Sequence, residues 1–594
     1  MPEVCLNGSE LPIEASPGET LLSCIRRSGL GVESTCNGRG VCGKCRVVAH
    51  GKLSPPDDVE RELLAGQSSD VRLACRARVL GDVSVTLSGT WTQLQSVFGP
   101  KYRDVSLDSF VKRITLPAKD RGSSPYADAL PYRVTDPRVF NKIAEWNSDK
   151  SEASGVVTGD ELLDIRFDRK AILGAAIDVG TTSLALYLFD LDSGELLGGS
   201  SALNPQTAYG GDVITRIVYC RNNPDGLSVL RSVLIEKLES MLDEVLGRDR
   251  SRDQVYLAVA AGNTTMLHIL AGVNPLPLSL APFRPAFLKP LVIEEERSGL
   301  SMAPGGRLIL LPGAAAYVGA DIVGGLEAVD YRSCPPCTLF IDIGTNGEIV
   351  LIEGPDRLLA TSCALGPALE GMNISCGCRA VPGAVDTVEP GEDMLPGFTT
   401  IKGLPPVGIC GSGLVDLVAT LISSGVIASS GAFDYKAGKG LTDRLKGDRY
   451  HLTDNVYLSQ RDIRQVQLAK SAAITGILTL LGEAGRSVAD LRHVILAGTF
   501  GYHLNPQKLK DIGLLPPEYT GQVTLVGNSS LSGASLAVLN HDILKDMEHL
   551  ASVIQVLDLG SHPDFSKKFI SHLRFAPVRG SRTGQSAEVR SAPL

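Results

Sequence analysis

The sequence predicts a multidomain protein: a small β-rich module at the N-terminus, a small mixed middle domain, and a large α/β domain built in two halves. Three observations predict it. The chain has 594 residues, far more than one hydrophobic core usually serves, so about three or four domains are expected. In the first 90 residues, VSVTLSG (83–89) alternates apolar and polar residues as a half-buried strand does. From Ala171 onward, apolar strands alternate with Gly-rich turns and amphipathic helices, the mark of α/β architecture.

Taken in order, residues 1–90 form the β-rich module and 91–110 (WTQLQSVFGPKYRDVSLDSF) read as a connector. Residues 111–170, punctuated by Pro117, Pro125, Pro131 and Pro137, read as the middle domain. Within 171–575, AILGAAIDVGTTSLALYLFDLDSGELL (171–197) reads as two strands joined by a Gly-Thr-Thr turn. CTLFIDIGTNGEIVLIEG (337–354) has the same shape, so the pair reads as one hairpin device used once per half. The tail, 576–594, is polar and Gly/Ser-rich and is expected to be disordered.

Net charge is −9, which disfavours a nucleic-acid partner. The start, MPEVCLNGSELPIEASPGE, shows no basic or apolar leader segment, and the uncharged stretches 417–433 and 519–541 are broken by Ser, Gly and Asn. The expectation is a cytoplasmic protein without membrane spans. In that compartment, 13 cysteines argue against a disulfide framework and for metal or redox chemistry.

CNGRGVCGKC places Cys36, Cys42 and Cys45 at C-x5-C-x2-C spacing, and Cys75 follows in RLACRARV. A [2Fe–2S] cluster needs four thiolates converging on two irons, and three from one loop plus one from a distant strand achieve that. Gly38, Gly40 and Gly43 let the loop wrap closely and turn its amides toward sulfur. Zinc is the alternative, but zinc favours paired C-x2-C knuckles, and these four cysteines hold only one such pair, with Cys75 alone. Cys5 and Cys24 read as core residues. Cys334 and Cys337 (CPPC) lack a thioredoxin-like context. Cys376 and Cys378 (SCGC) fall short of a second cluster's ligands.

The hairpin turns carry IDVGTTS (177–183) and IDIGTNG (341–347). A Gly turn points backbone N–H groups at phosphate oxygens, and hydroxyls of Thr181, Thr182 and Thr345 add donors. Asp178 and Asp342 end their strands facing the turns, where carboxylates can hold Mg²⁺, mostly through water. Gly180, Gly344, Asn346 and Gly347 complete the phosphate set. Further Gly turns follow strands at 257–270, at Gly411-Ser412-Gly413, which opens a helix, and at Gly498 in HVILAGTFGYHLN (493–505). Each suits a phosphate or ribose, and each equally suits a tight strand–helix turn.

Residues 1–90 resemble plant- and adrenodoxin-type ferredoxins, which implies a β-grasp fold. Residues 171–545 resemble the actin, sugar-kinase and Hsp70 superfamily, which implies a two-lobed domain closing on Mg·ATP, with 493–501 as its adenosine motif. There, Ala497-Gly498-Thr499 stands where the superfamily usually has Gly-Gly. The combination, with NPQTAYGGDVITRI (204–217) and SCALGPALEGMNISCGCRAVPGAV (362–385), resembles the reductive activators of corrinoid proteins along nearly the whole chain. That resemblance implies ATP-dependent delivery of single electrons to a corrinoid (cobalamin-binding) protein of a methyltransferase system, reducing inactive Co(II) to Co(I). It also implies an external low-potential electron donor and a homodimer. Asp212 is a candidate for orienting the attacking water, although an N-cap role for the helix from Val213 fits it better. The same motifs fit a metabolite kinase with a regulatory iron–sulfur module, or a non-enzymatic ATP switch that senses redox state. A dehydratase-type activator with a bridging [4Fe–4S] cluster is a narrower rival that nothing in the chain calls for.

Overall fold

The computed structural model describes residues 2–6, 12–27, 32, 38, 40, 43, 45–64, 67–87, 102–116, 127–128, 130–148, 153–365, 368–391, 395–437, 440–498 and 501–576. The described part divides into two compact units. One takes in residues up to 367 together with 480–502 and 521–560; the other comprises 368–479, 503–520 and the stretch from 561.

In the first unit, the N-terminal module is a five-stranded sheet. Its strand Val79–Leu87 runs parallel to Glu3–Leu6 and antiparallel to Arg46–Leu53, and the helix Leu21–Arg27 belongs to the same module. This is the β-grasp arrangement of the ferredoxins. Leu21, Ile25, Val47, Leu73 and Val85 form its core, because alternate strand residues face one side. Strands Lys112–Thr115, Ser154–Thr158 and Glu161–Arg166 make a separate antiparallel sheet. It shares a small core with the helix Pro137–Ser148, through Val139, Ile143 and Trp146.

The rest of this unit holds two six-stranded sheets of matching design. In the first, Leu173–Val179, Ser183–Asp190 and Leu196–Leu203 form an antiparallel meander, and Val255–Gly262 lies parallel to its leading strand. In the second, Thr338–Ile343, Gly347–Gly354 and Arg357–Cys363 repeat the meander, with His493–Ala497 parallel to its leading strand. The leading strands are nearly continuous apolar runs because both faces are covered.

Helices Ala320–Ala328 and Ser529–Leu539 cross at glycines. A Cβ on Gly533 would lie 2.3 Å from the Gly324 carbonyl oxygen, so the backbones touch. Gly533→Ala is expected to cost about 1–3 kcal/mol by overpacking. It should lower the thermal midpoint of the large domain while leaving the cluster's visible spectrum unchanged at 25 °C.

The second half of the expected connector is docked rather than loose. Asp108 N–H donates to the Leu539 carbonyl (2.8 Å), and His541 N–H donates to the Asp108 carbonyl (2.8 Å). Arg103 reaches the fully buried Glu327 at 2.6 Å. Residues 91–101 and the tail from 577 lie outside the described residues.

The second unit carries the sheet of Ala384–Pro390, Pro396–Thr400 and Gly408–Ile409, with the helix Gly411–Ser423 packed on it. Its long helix, Gln460–Glu483, holds the chain's last described segment. Gln467 Nε2 donates to the Leu573 carbonyl at 2.8 Å. No helix among the described residues is long and apolar enough to cross a membrane.

Candidate functional site

The two Asp-x-Gly turns come together. Thr182 Oγ1 lies 3.1 Å from Thr345 Oγ1, although the hairpins belong to different sheets. Gly180 suits its position because a Cβ there would sit 2.5 Å from the Ser183 carbonyl oxygen. Asp178 is clamped on both oxygens: Asn528 Nδ2 donates to Oδ2 (2.8 Å) and Ser530 Oγ to Oδ1 (2.7 Å). Burial pushes its carboxyl up, against the pull of those two donors. Asp342 pairs across the hairpin with Glu348, and Gly347 pairs with Ile343. Gly498, at φ +94°, belongs beside Asp342: a Cβ there would lie 2.7 Å from Asp342 Oδ1. Thr499 lies outside the described residues.

Two more carboxylates join this set that the motif reading did not find. Asp321 opens the helix Ala320–Ala328, and burial pushes it up to about 7, with Asp178 adding like-charge repulsion. Glu348 is driven well above the carboxylate range by burial and then by Asp321 and Asp342, while Ser362 Oγ donates to it at 3.0 Å. Crowded like charges of this kind are the chemistry a divalent cation relieves.

Two asparagines serve the site in the same way. Asn263 caps the helix Thr264–Ala271 by accepting from Met266 N–H, and its Nδ2 donates to Thr181 Oγ1 at 2.9 Å. Asn528 caps Ser529–Leu539 by accepting from Leu531 N–H, and its Nδ2 holds Asp178. Each follows a strand and a glycine, in AAGNTT and LVGNSS. That second internal repeat was present in the sequence and could have been found there.

Other expected residues are placed differently. Gly344 N–H donates to the Asn346 carbonyl (2.9 Å), so in this conformation it is committed within the turn. Asp212 caps the helix Val213–Asn222, accepting from Thr215 N–H at 2.7 Å in a full capping box. That is the capping role its position allowed, and water positioning gains no support from it. Gly411, Ser412 and Gly413 begin their helix in the second unit, where Ser412 Oγ donates to the Asp386 carbonyl (2.8 Å).

In the N-terminal module, Cys45 and Cys75 sit at one end of the antiparallel pair Arg46–Leu53 and Val71–Leu73. Ala74 N–H donates to the Cys45 carbonyl at 2.8 Å. A buried pair pins this end: Arg72 Nε and Nη2 each meet a Glu60 oxygen at 3.0 Å, and Leu73 N–H donates to Glu60 Oε1 at 2.7 Å. Gly38, Gly40 and Gly43 all adopt left-handed φ, from +66° to +79°. An ideal Cβ on Gly38 would lie 4.0 Å from Cys75 Cβ, so Gly38 lies close to that cysteine. Cys36 and Cys42 lie outside the described residues. The residues present fit a cluster loop: thiols at one sheet end, beside left-handed glycines.

Residues 4–80 match the 2Fe-2S iron-sulfur cluster binding domain. Residues 173–333 match the RACo middle region, and 336–583 match the C-terminal domain of RACo, the ASKHA domain. The corrinoid activation enzyme RamQ of Eubacterium limosum is 29% identical over 94% of this chain and 96% of its own length. A solved structure of a reductive activator for corrinoid, iron-sulfur protein superposes with TM-score 0.71 at 28% identity, covering 97% of this chain and 98% of that one. Along nearly its whole length the chain is similar to the reductive activators of corrinoid proteins. A Methanosarcina barkeri relative, [Co(II) methylated amine-specific corrinoid protein] reductase, is 24% identical over 68% of this chain and 77% of its own length.

The other cysteines that the sequence singled out lie apart from this motif. Cys24 is fully buried in the ferredoxin core, whereas Cys5 is exposed on the strand Glu3–Leu6 rather than in the core. Burial pushes Cys334 and Cys337 each up to about 11, which leaves little thiolate for redox exchange. Cys376 Sγ faces the Asn455 carbonyl (3.6 Å), Cys410 Sγ faces the Val385 carbonyl (3.2 Å), and Cys378 Sγ lies against Gly408. Among the described residues no cysteine trio gathers as a metal site would.

Proposed function

We propose that this activator uses ATP hydrolysis to drive single electrons from a [2Fe–2S] cluster to a corrinoid protein, returning inactive Co(II) to Co(I). The observation that carries the reading is the meeting of Thr182 and Thr345 beside four crowded carboxylates, on a chain that also bears a ferredoxin module. Cys36, Cys42, Cys45 and Cys75 would hold the cluster, which supplies a one-electron carrier when bound. Asp178, Asp342, Asp321 and Glu348 would hold Mg²⁺. No three of them have oxygens within 4.8 Å of one another, which suits contact through water. Gly180, Thr181, Thr182, Thr345, Asn346, Gly347 and Gly498 would face the phosphates. The two relatives, a corrinoid activation enzyme and a corrinoid protein reductase, support a corrinoid partner.

The step needs coupling because the Co(II)/Co(I) couple lies below ordinary ferredoxins, and each 100 mV of gap costs about 2.3 kcal/mol per electron. Nucleotide turnover closes such a gap only by changing how the activator grips its partner. An external low-potential donor refills the cluster, and the working form is a homodimer, which sedimentation of the anaerobic protein checks. The decisive experiment mixes anaerobic activator, Co(II) corrinoid protein, reductant and ATP while following the Co(I) absorption band. With a non-hydrolysable ATP analogue, Co(I) formation is expected to stop at about one equivalent of activator. Full multi-turnover reduction with the analogue would refute hydrolysis-driven coupling.

A further inference from the structure

We propose that Arg216 and Asn204 are positioning residues for the first phosphate turn, fixing its backbone so that its amides face the nucleotide. This rests on the reading that the turn at 180–182 holds phosphate. Both side chains are completely buried. Asn204 Nδ2 donates to the Gly180 carbonyl at 2.8 Å, and Asn204 N–H donates to the Thr182 carbonyl at 2.9 Å. Between them, Arg216 Nη2 donates to the Thr181 carbonyl. Every carbonyl of the turn is therefore held by one of these two residues. In a trans peptide, C=O and N–H point from opposite edges of one plane. Each tie thus turns the next amide, of Thr181, Thr182 and Ser183, away from the residue that holds the carbonyl.

Arg216 is itself set by its surroundings. Its Nε donates to the Gly210 carbonyl (3.0 Å) and its Nη1 to Gln206 Oε1 (2.9 Å). Gly210 lets the chain come this close, since a Cβ there would lie 2.9 Å from Arg216 N. An arginine is rarely buried this fully, and taking its charge out of water is costly. A guanidinium on the carbonyl side of an anion-binding turn offsets that cost by attracting the phosphates the amides face.

The test is equilibrium binding of ATP, ADP and adenosine to the full-length anaerobic protein and its variants. Arg216→Gln is expected to weaken ATP and ADP at least about tenfold while adenosine changes by less than about twofold. Arg216→Lys, which keeps the charge with fewer donors, should recover part of the loss. Asn204→Ala should repeat the pattern, and it decides the matter if Arg216→Gln does not fold. ATP affinity unchanged in the variants, or equal weakening of ATP and adenosine, would overturn the proposal. Wild-type protein that binds no ATP would instead remove the nucleotide reading, and this proposal with it.

Discussion

Asp342→Ala is expected to cut ATP hydrolysis about a thousandfold while leaving the visible spectrum of the iron–sulfur cluster intact. Asp342 ends the leading strand of the second sheet, opposite Glu348 and against Gly498. Its loss takes one carboxylate from the set proposed to hold Mg²⁺, and two of its neighbours are already held elsewhere. Glu348 is clamped by Ser362, and Asp178 by Asn528 and Ser530. Phosphate release and the absorption spectrum, measured on the same preparation, check the result. If the spectrum vanished as well, the ferredoxin module and the large domain would not be separable folding units.

Cys75→Ser carries the second large effect, and it runs the other way. The variant is expected to lose the cluster's absorption and reduce electron delivery to a Co(II) corrinoid protein to background, while ATP hydrolysis persists. Serine is a poor substitute for thiolate at iron, and Cys75 sits where Glu60 and Arg72 fix the sheet end. Cys5→Ser is the control, because Cys5 is exposed and lies outside the cysteine motif. An intact, reducible cluster in Cys75→Ser would mean the fourth ligand lies elsewhere.

The parts of the site that could be read from sequence are those whose chemistry is local. A strand ending Asp-x-Gly-Thr carries its carboxylate, turn and hydroxyl within a few residues, and C-x5-C-x2-C is equally compact. Both hairpins run as expected, with turns at 180–182 and 344–346. Asp321 and Glu348 were missed because neither belongs to such a string. One arrives by a helix start and the other by register across a hairpin. Arg216 was missed because an arginine in an amphipathic helix reads as a surface residue. The connector is legible only in part: Tyr102, Val105, Phe110 and Val111 pack on the large core, but they follow no strand or helix period, and the backbone bonds that tie Asp108 to Leu539 and His541 leave no side-chain pattern.

The glycine crossing of the two helices sets a lever with short arms. Asp321 precedes Gly324 by three residues, and Ser530 precedes Gly533 by three, so each site group stands about 4.5 Å along its helix from the pivot. A tilt of about 10° between the helices would move either group by only ~0.8 Å. At the far ends of the same helices, and in the sheets they carry, the displacement grows in proportion to distance. Large excursions at the periphery are therefore compatible with carboxylates that keep their spacing at the centre.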